Sequence, residues 1–340
     1  MVRSEKVNKK VTSTDVAKHL GVSRSAVSRA FTDGASINQE KRQRILAAAK
    51  QLGYQPNMFA RNLSTPVQKA KSNLVAILIS DFSNPYQSFL FEELSAALQQ
   101  AGKQPMLLNV KQESDLDQAI LRLSGYQVDG VIAVVGSLPA ESLHQCLKLS
   151  LPLVTLGRAD VKGQIPSVQT DNFTAGKLAA QYLVGQGCQF LGYIAGRRDG
   201  QASNERWQGF RESLITTLGG EPEYIDAGRY GYSAGFEASV SNTERLRSLD
   251  GVFCASDALA MGVIDACQQF AGIAIPNQLR VVGCDNVPQA AWQGYQLTTI
   301  AQPVSLIATR ALDALQHQWD QRPLDNAIIR VQPSLKIRRT

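Results

Sequence analysis

Residues 11–29, Val11-Thr-Ser-Thr-Asp-Val-Ala-Lys-His-Leu-Gly-Val-Ser-Arg-Ser-Ala-Val-Ser-Arg29, decide how the amino-terminal part of the chain folds. Thr12 is placed to cap a helix, with Asp15 three residues on as its reciprocal partner. Val16, Ala17 and Leu20 then share one apolar face, and Gly21 stops the helix. Ser23 caps a second helix, in which Val27 lies three residues before Ala30 and four before Phe31. A third helix is predicted from Asn38 to Leu52, burying Ile45, Ala48, Ala49 and Leu52 before Gly53 ends it. Three short helices can share one small core. Two of them joined by a glycine turn within about twenty residues have helix-turn-helix geometry.

Charge singles out the same region. Through Lys71 the chain carries 14 Lys and Arg against 4 Asp and Glu, whereas the remainder carries 21 against 25. A basic head on a mildly acidic body points to a polyanion met by the head alone. The second helix presents Arg24, Ser25, Ser28 and Arg29, and arginines there can pair with N7 and O6 of guanine. Thr12 and Ser23, at helix N-termini, can offer donors to phosphates. The competing reading is an ordinary helical hairpin with a solvated basic face.

After Gln55-Pro56 the segment from Asn57 to Leu63 is too short to be a stable helix alone. Residues 64–72 read as a linker. From Leu74 onward, short β-rich runs alternate with amphipathic stretches, the pattern of parallel sheets covered on both faces. The expected strands are Leu74–Ile79, Met106–Val110, Gly130–Val135 and Leu153–Leu156, then Leu191–Ala195, Tyr224–Ile225, Gly251–Cys254 and Leu279–Gly283. Val128-Asp-Gly-Val131 and Leu249-Asp-Gly-Val252 echo each other midway through the two series, as two similar lobes would.

Ligands of open α/β sheets bind beyond the carboxyl ends of strands. Those positions hold Asp81, Phe82 and Tyr86, then Gly196-Arg-Arg-Asp-Gly200 with Arg206, then Ser256 and Asp257, then Asp285 and Asn286. An arginine, a carboxylate and aromatic rings in one cleft suit a neutral polyol: the polar pair holds hydroxyls and the rings cover the apolar face. Asp257 reads equally well as a helix cap, and Phe82 or Tyr230 as core. Trp292 and Tyr295 rank below this set.

The quoted head stretch, continued through Ala49-Lys-Gln-Leu-Gly-Tyr-Gln-Pro-Asn57, resembles the lactose-repressor (LacI/GalR) family. Asn84-Pro-Tyr86, Arg206-Trp-Gln-Gly-Phe210, Ala255-Ser-Asp-Ala-Leu-Ala-Met-Gly262 and Val282-Gly-Cys-Asp-Asn-Val-Pro288 resemble its body motifs. The resemblance implies an all-α helix-turn-helix head (1–56), a hinge helix and linker (57–72) and a two-lobed α/β body like periplasmic binding proteins (73–340). The lobes are expected at about 73–169 with 302–326, and 170–301 with 327–340. It implies a transcription regulator, expected to repress, that binds near-palindromic double-stranded operators as a homodimer, with a tetramer left open. Asn57, Ala60 and Leu63 would enter the minor groove, Leu63 as an apolar wedge that bends the duplex. Effector contacts are implied for Tyr86, Arg206, Tyr230 and Asp285, with Phe82 and Ser256 completing the set and a carbohydrate as the expected effector. Three departures matter: Ser256 replaces a frequent asparagine, Gln87 a frequent second aromatic, and Gly200 the arginine of purine repressors. Arg197-Arg198 leaves a phosphorylated or acidic sugar open.

Other classes fit less well. Five scattered cysteines without metal spacing read as buried thiols, so neither cofactor nor metal is expected. His19, His144 and His317 are isolated, and no phosphate loop or Ser-His-Asp order is present, so catalysis is not expected. No apolar run is long enough to span a bilayer, and the first ten residues lack a secretion signal, which leads to an expected cytoplasmic location without a membrane partner. A transport receptor would need such a signal and no basic head.

Overall fold

The computed structural model describes residues 11–32, 34–56, 72–80, 82–110, 119–120, 122–123, 125–134, 148–157, 163–198, 200–324 and 326–340. The chain divides into two compact units, Met1–Ser72 and Asn73–Thr340.

The first unit is built on α1 (Ser13–Leu20), α2 (Arg24–Ala30) and α3 (Gln39–Leu52). Each start carries its own cap. The Thr12 backbone N–H and hydroxyl both donate to Asp15 Oδ2, at 2.8 and 2.6 Å. Ser23 Oγ accepts from the Ala26 amide and Asn38 Oδ1 from the Lys41 amide, each at 3.2 Å. Gly21 and Gly53, both left-handed, close α1 and α3. Val16, Ala17, Ala26, Val27, Ala30, Ile45 and Ala49 form the core, with Leu20, Phe31, Leu52 and Tyr54 packed around it. Arg42 of α3 donates to the carbonyls of Ala30 and Thr32, at 3.0 and 3.2 Å, and so satisfies acceptors left over at the end of α2.

Among the described residues, the second unit contains two six-stranded sheets. The first draws on β1 (Leu74–Ile79), β2 (Gln104–Asn109), β3 (Gly130–Val134), β4 (Leu153–Leu156) and β5 (Ser167–Thr170), with α4 (Pro85–Gln100) after β1. The chain then crosses into α5 (Asn172–Gly185), β6 (Leu191–Ala195), α6 (Gln201–Leu218) and β7 (Glu223–Asp226). Next come α7 (Tyr232–Ser241), α8 (Thr243–Arg247), β8 (Gly251–Cys254), α9 (Asp257–Ala266), β9 (Arg280–Asp285) and β10 (Thr298–Ala301). It returns through α10 (Val304–Trp319) to β11 (Ile328–Val331) and ends beyond β12 (Ser334–Lys336). The first sheet runs β11-β5-β4-β3-β1-β2, and all its pairs are parallel. The second runs β12-β10-β9-β8-β6-β7, parallel except where β12 meets β10. In each, strand order reverses next to the first strand, the place where such sheets open a crevice.

One expected boundary is wrong. Residues 328–331 pair with Ser167–Thr170 and belong to the first sheet, so the final crossing follows Val331 and does not fall at 327. The pattern also gave no strand at β5, β10, β11 or β12. Ser167, Gln169, Thr170, Thr298 and Thr299 are polar yet buried, so β5 and β10 lack the apolar runs that marked the others, while β11 and β12 are short edge strands with little buried surface. The three crossings touch one another. Thr170 Oγ1 donates to Gln302 at 2.6 Å, and Gln332 Nε2 donates to Asp171 Oδ2 at 3.2 Å.

The second lobe is held by backbone-to-backbone helix contact. A Cβ on Gly176 of α5 would lie 2.1 Å from the Arg206 carbonyl oxygen, and one on Gly209 of α6 would lie 2.0 Å from that of Phe173. Only glycine permits this approach. The described cysteines, Cys188, Cys254, Cys267 and Cys284, are buried and free, as the sequence suggested; Cys146 lies outside the described residues.

Candidate functional site

On the head, Ser23, Arg24, Ser25, Ser28 and Arg29 are exposed on α2 and its cap, while Ala26, Val27 and Ala30 face the core. Period 3.6 therefore places the polar residues on one solvent-facing side. Ser23 and Ser25 share a hydroxyl hydrogen bond of 2.9 Å, and Arg29 Nε donates to the Ser25 carbonyl at 3.3 Å, which steers the guanidinium along the helix. Thr12 is also exposed, its hydroxyl bonded to Asp15. Asn57, Ala60 and Leu63 lie outside the described residues, as does Asp81.

In the body, a cleft of about 710 Å³, open solvent at its mouth included, lies among the strand ends of both sheets. Tyr86, Arg206, Tyr230, Ser256 and Asp285 all line it. Phe82 does not: it is 40 % exposed and absent from the lining, a correction to the expected set. It sits in the turn before α4, where Asn84 caps the helix by accepting from the Tyr86 amide and brings Tyr86 inward instead.

Arg206 is 4 % exposed, and its place follows from the glycine crossing just described. Its Nε donates to Asn172 Oδ1 at 2.8 Å and its Nη1 to the Ala255 carbonyl. Asp285 ends β9 with φ 129°, a left-handed value that costs a non-glycine residue and recurs at functional sites. One carboxylate oxygen, Oδ1, accepts from Gln302 Nε2 at 2.6 Å. The other, Oδ2, is buried and has no partner among the described residues. Burial pushes the Asp285 carboxyl up to about 7; nearby Arg206 opposes the rise and Asp257 adds to it. Burial also raises the Tyr86 and Tyr230 phenols, so both rings are neutral.

Tyr230 reaches the cleft because residues 196 and 200 lack side chains. A Cβ at Gly196 would lie 2.3 Å from its ring, and one at Gly200 would lie 2.5 Å from its hydroxyl. Ser256 caps α9 by accepting from the Leu259 amide at 3.2 Å and donates to the Tyr230 carbonyl at 3.0 Å, so its hydroxyl is already engaged. Asp257 is structural: it accepts from the Val287 amide at 2.9 Å and from Thr299. Arg198 pairs with Asp226, not with the cleft, which removes one of the two cations that could have met an acidic sugar. Tyr295 bonds Asp265 at 3.0 Å, and Trp292 is 59 % exposed.

Sequence reasoning missed Thr170, Asn172 and Gln302, all of which line the cleft. Gln87 lines it as well, and its Oε1 is buried without a partner among the described residues. Among the described residues no cluster of His, Cys, Asp and Glu could hold a metal. No described helix is long and apolar enough to cross a membrane.

Residues 12–57 match the profile described as bacterial regulatory proteins, lacI family, and residues 180–340 match the periplasmic binding protein-like domain. The ribose operon repressor of Halalkalibacterium halodurans is 31% identical over 337 residues, spanning 96% of this chain and 96% of that protein. The chain belongs to the lacI family. Solved structures agree with this lacI-family architecture. The transcriptional regulator CelR in complex with cellobiose superposes with a TM-score of 0.70 at 25% identity, covering 97% of this chain and 99% of that one. The lac repressor dimer bound to operator and the anti-inducer ONPF superposes at 0.84, with 22% identity, 98% and 99% coverage, and so a shared fold. A lacI-family member is a DNA-binding transcription regulator, which accounts for a basic head joined to a cleft-bearing body.

Proposed function

We propose that this regulator is a repressor that binds near-palindromic duplex DNA as a homodimer and changes its operator affinity when a neutral sugar or sugar derivative fills the cleft. One observation carries the ligand reading. Asp285 Oδ2 is an acceptor buried without a partner among the described residues, beside an arginine anchored in the same cleft. A buried carboxylate oxygen left unpaired costs about 1–3 kcal/mol, and a hydroxyl donor from a ligand relieves that cost. Arg206 donates to a second hydroxyl, Tyr86 and Tyr230 cover the apolar face of the ring, and Ser256 shapes the wall. The names of the relatives, a ribose operon repressor and a cellobiose-bound regulator, favour the same chemical class.

On DNA, Arg24, Ser25, Ser28 and Arg29 read base edges, and Thr12 and Ser23 hold phosphates. Asn57, Ala60 and Leu63 enter the minor groove. The cleft serves binding, not turnover, and the protein works in the cytoplasm, where its operators are. The test is melting temperature against a panel of neutral pentoses, hexoses and disaccharides, joined to fluorescence anisotropy on a labelled duplex selected from a random library by the full-length protein. A sugar that raises the melting temperature and changes duplex affinity is expected. Selection of no duplex, or a panel that leaves both readouts flat, overturns the reading.

A further inference from the structure

Two amides join the charged residues of the cleft to the segments that cross between the lobes. Asn172, first residue of α5, accepts from Arg206 Nε at 2.8 Å and donates from Nδ2 to the Thr170 carbonyl at 3.1 Å. Gln302, in the crossing between β10 and α10, donates from Nε2 to Asp285 Oδ1 at 2.6 Å. Its Oε1 accepts from Thr170 Oγ1 at 2.6 Å and from the Tyr86 hydroxyl at 3.2 Å. Both chains of hydrogen bonds therefore end at Thr170, the last residue of the first sheet before the chain leaves it.

We propose that Gln302 is a positioning residue through which occupancy of the cleft is passed to the first lobe. Its amide cannot turn round. The Asp285 carboxylate only accepts, so Nε2 must face it, and Oε1 is then left to take the Thr170 and Tyr86 hydroxyls, which can serve either face. Asp285 ends a strand in the second sheet, whereas Tyr86 and Thr170 belong to the first lobe. The α5–α6 glycine contact keeps the second lobe's frame from yielding near Arg206. A ligand hydroxyl that draws on Asp285 Oδ2 thus shifts the carboxylate relative to a fixed frame. The displacement passes to the Gln302 crossing instead of dissipating in the lobe. Two sites are coupled only when one element has different energies in the two states, and this hydrogen-bonded crossing is such an element.

The inference rests on the proposed ligand reading and is tested in the full-length protein with the duplex and the sugar identified above. The quantity read is the ratio of duplex affinities without sugar and at saturating sugar, which is independent of how tightly the sugar binds. Coupling in such proteins is about 5- to 150-fold. Gln302→Leu, which keeps bulk but loses both polar ends, is expected to bring the ratio to within twofold of one while sugar still saturates the cleft by calorimetry. Gln302→Glu keeps the acceptor for Thr170 and Tyr86 but sets a carboxylate against Asp285. Its ratio is expected to fall at pH 8 and to recover at pH 5.5, where a shared proton restores a donor toward Asp285. A wild-type ratio in Gln302→Leu, or a pH-independent ratio in Gln302→Glu, overturns the relay while leaving the ligand reading intact. A wild-type protein that answers to no sugar overturns both.

Discussion

Replacing Asp285 with asparagine should stabilise the ligand-free body above pH 7 while impairing the response to ligand. The Asp285 carboxyl rises from an ordinary 3.8 to about 7 because burial penalises its charge, despite the nearby Arg206 guanidinium. The folded state therefore keeps a proton between about pH 4 and 7 that the unfolded chain has released, so stability falls as pH climbs through that window. Three pH units at about 1.36 kcal/mol each set a ceiling of about 4 kcal/mol. The attraction of Arg206 is already contained in that shift, so a neutral isostere mimics the protonated carboxyl and escapes the cost. Water entering the cleft reduces the gain, and about 1–3 kcal/mol is expected, the usual cost of an unsatisfied buried polar group. All three tryptophans, Trp207, Trp292 and Trp319, lie in the body, so urea unfolding followed by tryptophan fluorescence reports this unit alone. Wild type should lose stability from pH 5 to pH 8 and Asp285→Asn should lose less, the remaining dependence coming from Asp257, whose carboxyl burial holds up to about 6. Sugar affinity should fall about 10- to 100-fold, the loss of one charge-assisted hydrogen bond. A variant less stable than wild type at pH 8, or an unchanged slope with pH, would refute the reasoning.

Further outcomes follow from the same geometry. Arg206→Met should abolish the sugar response and lower body stability by about 2–4 kcal/mol, since Asn172 and the Ala255 carbonyl each lose a buried donor; a full calorimetric response would remove Arg206 from the site. Gly200→Ala places a Cβ 2.5 Å from the Tyr230 hydroxyl, so the ring must shift and sugar affinity should fall about tenfold with little change in duplex affinity; unchanged titrations would show that Tyr230 is not a contact. Arg29→Ala should weaken duplex binding, with discrimination relaxed at one base pair by about 1–3 kcal/mol if the side chain reads a base. Loss that is uniform across sequences, with a salt slope lower by about one, would assign Arg29 to phosphate.

The head was readable almost residue by residue because its signals are local. Thr12 with Asp15, Ser23, Asn38 and the two left-handed glycines each fix a helix end within four residues. In the body, strands such as Leu74–Ile79 announced themselves by unbroken apolar runs buried on both faces. Ser167–Thr170 and Thr298–Thr299 did not, because their burial is offset by specific hydrogen bonds, among them Thr298 to Thr340 and Thr299 to Asp257. The final crossing was misplaced for another reason: Ile328–Val331 is a short, mostly unburied edge strand, and its side-chain pattern does not tell which sheet it joins. For the cleft, strand-end logic found Arg206 and Asp285, whose chemistry stands out in sequence. It missed Asn172 and Gln302, ordinary amides whose roles depend on a topology that brings residues 170, 172 and 302 together. Phe82 was misjudged because proximity to a strand end does not fix the direction of a side chain in a turn.

The interlocked glycines of α5 and α6 divide the cleft by how freely evolution or an engineer can rewrite it. Any residue larger than glycine at 176 or 209 must prise two helices apart, and Arg206 rides on that contact. Its wall is a stiff jaw that supplies the same grip to whatever enters. Tyr86 and Gln87 extend from the first turn of a helix on the opposite wall, where a substitution changes shape and polarity without disturbing a backbone seam. Retuning this protein to a new metabolite therefore means redesigning the α4 wall and leaving the arginine wall alone.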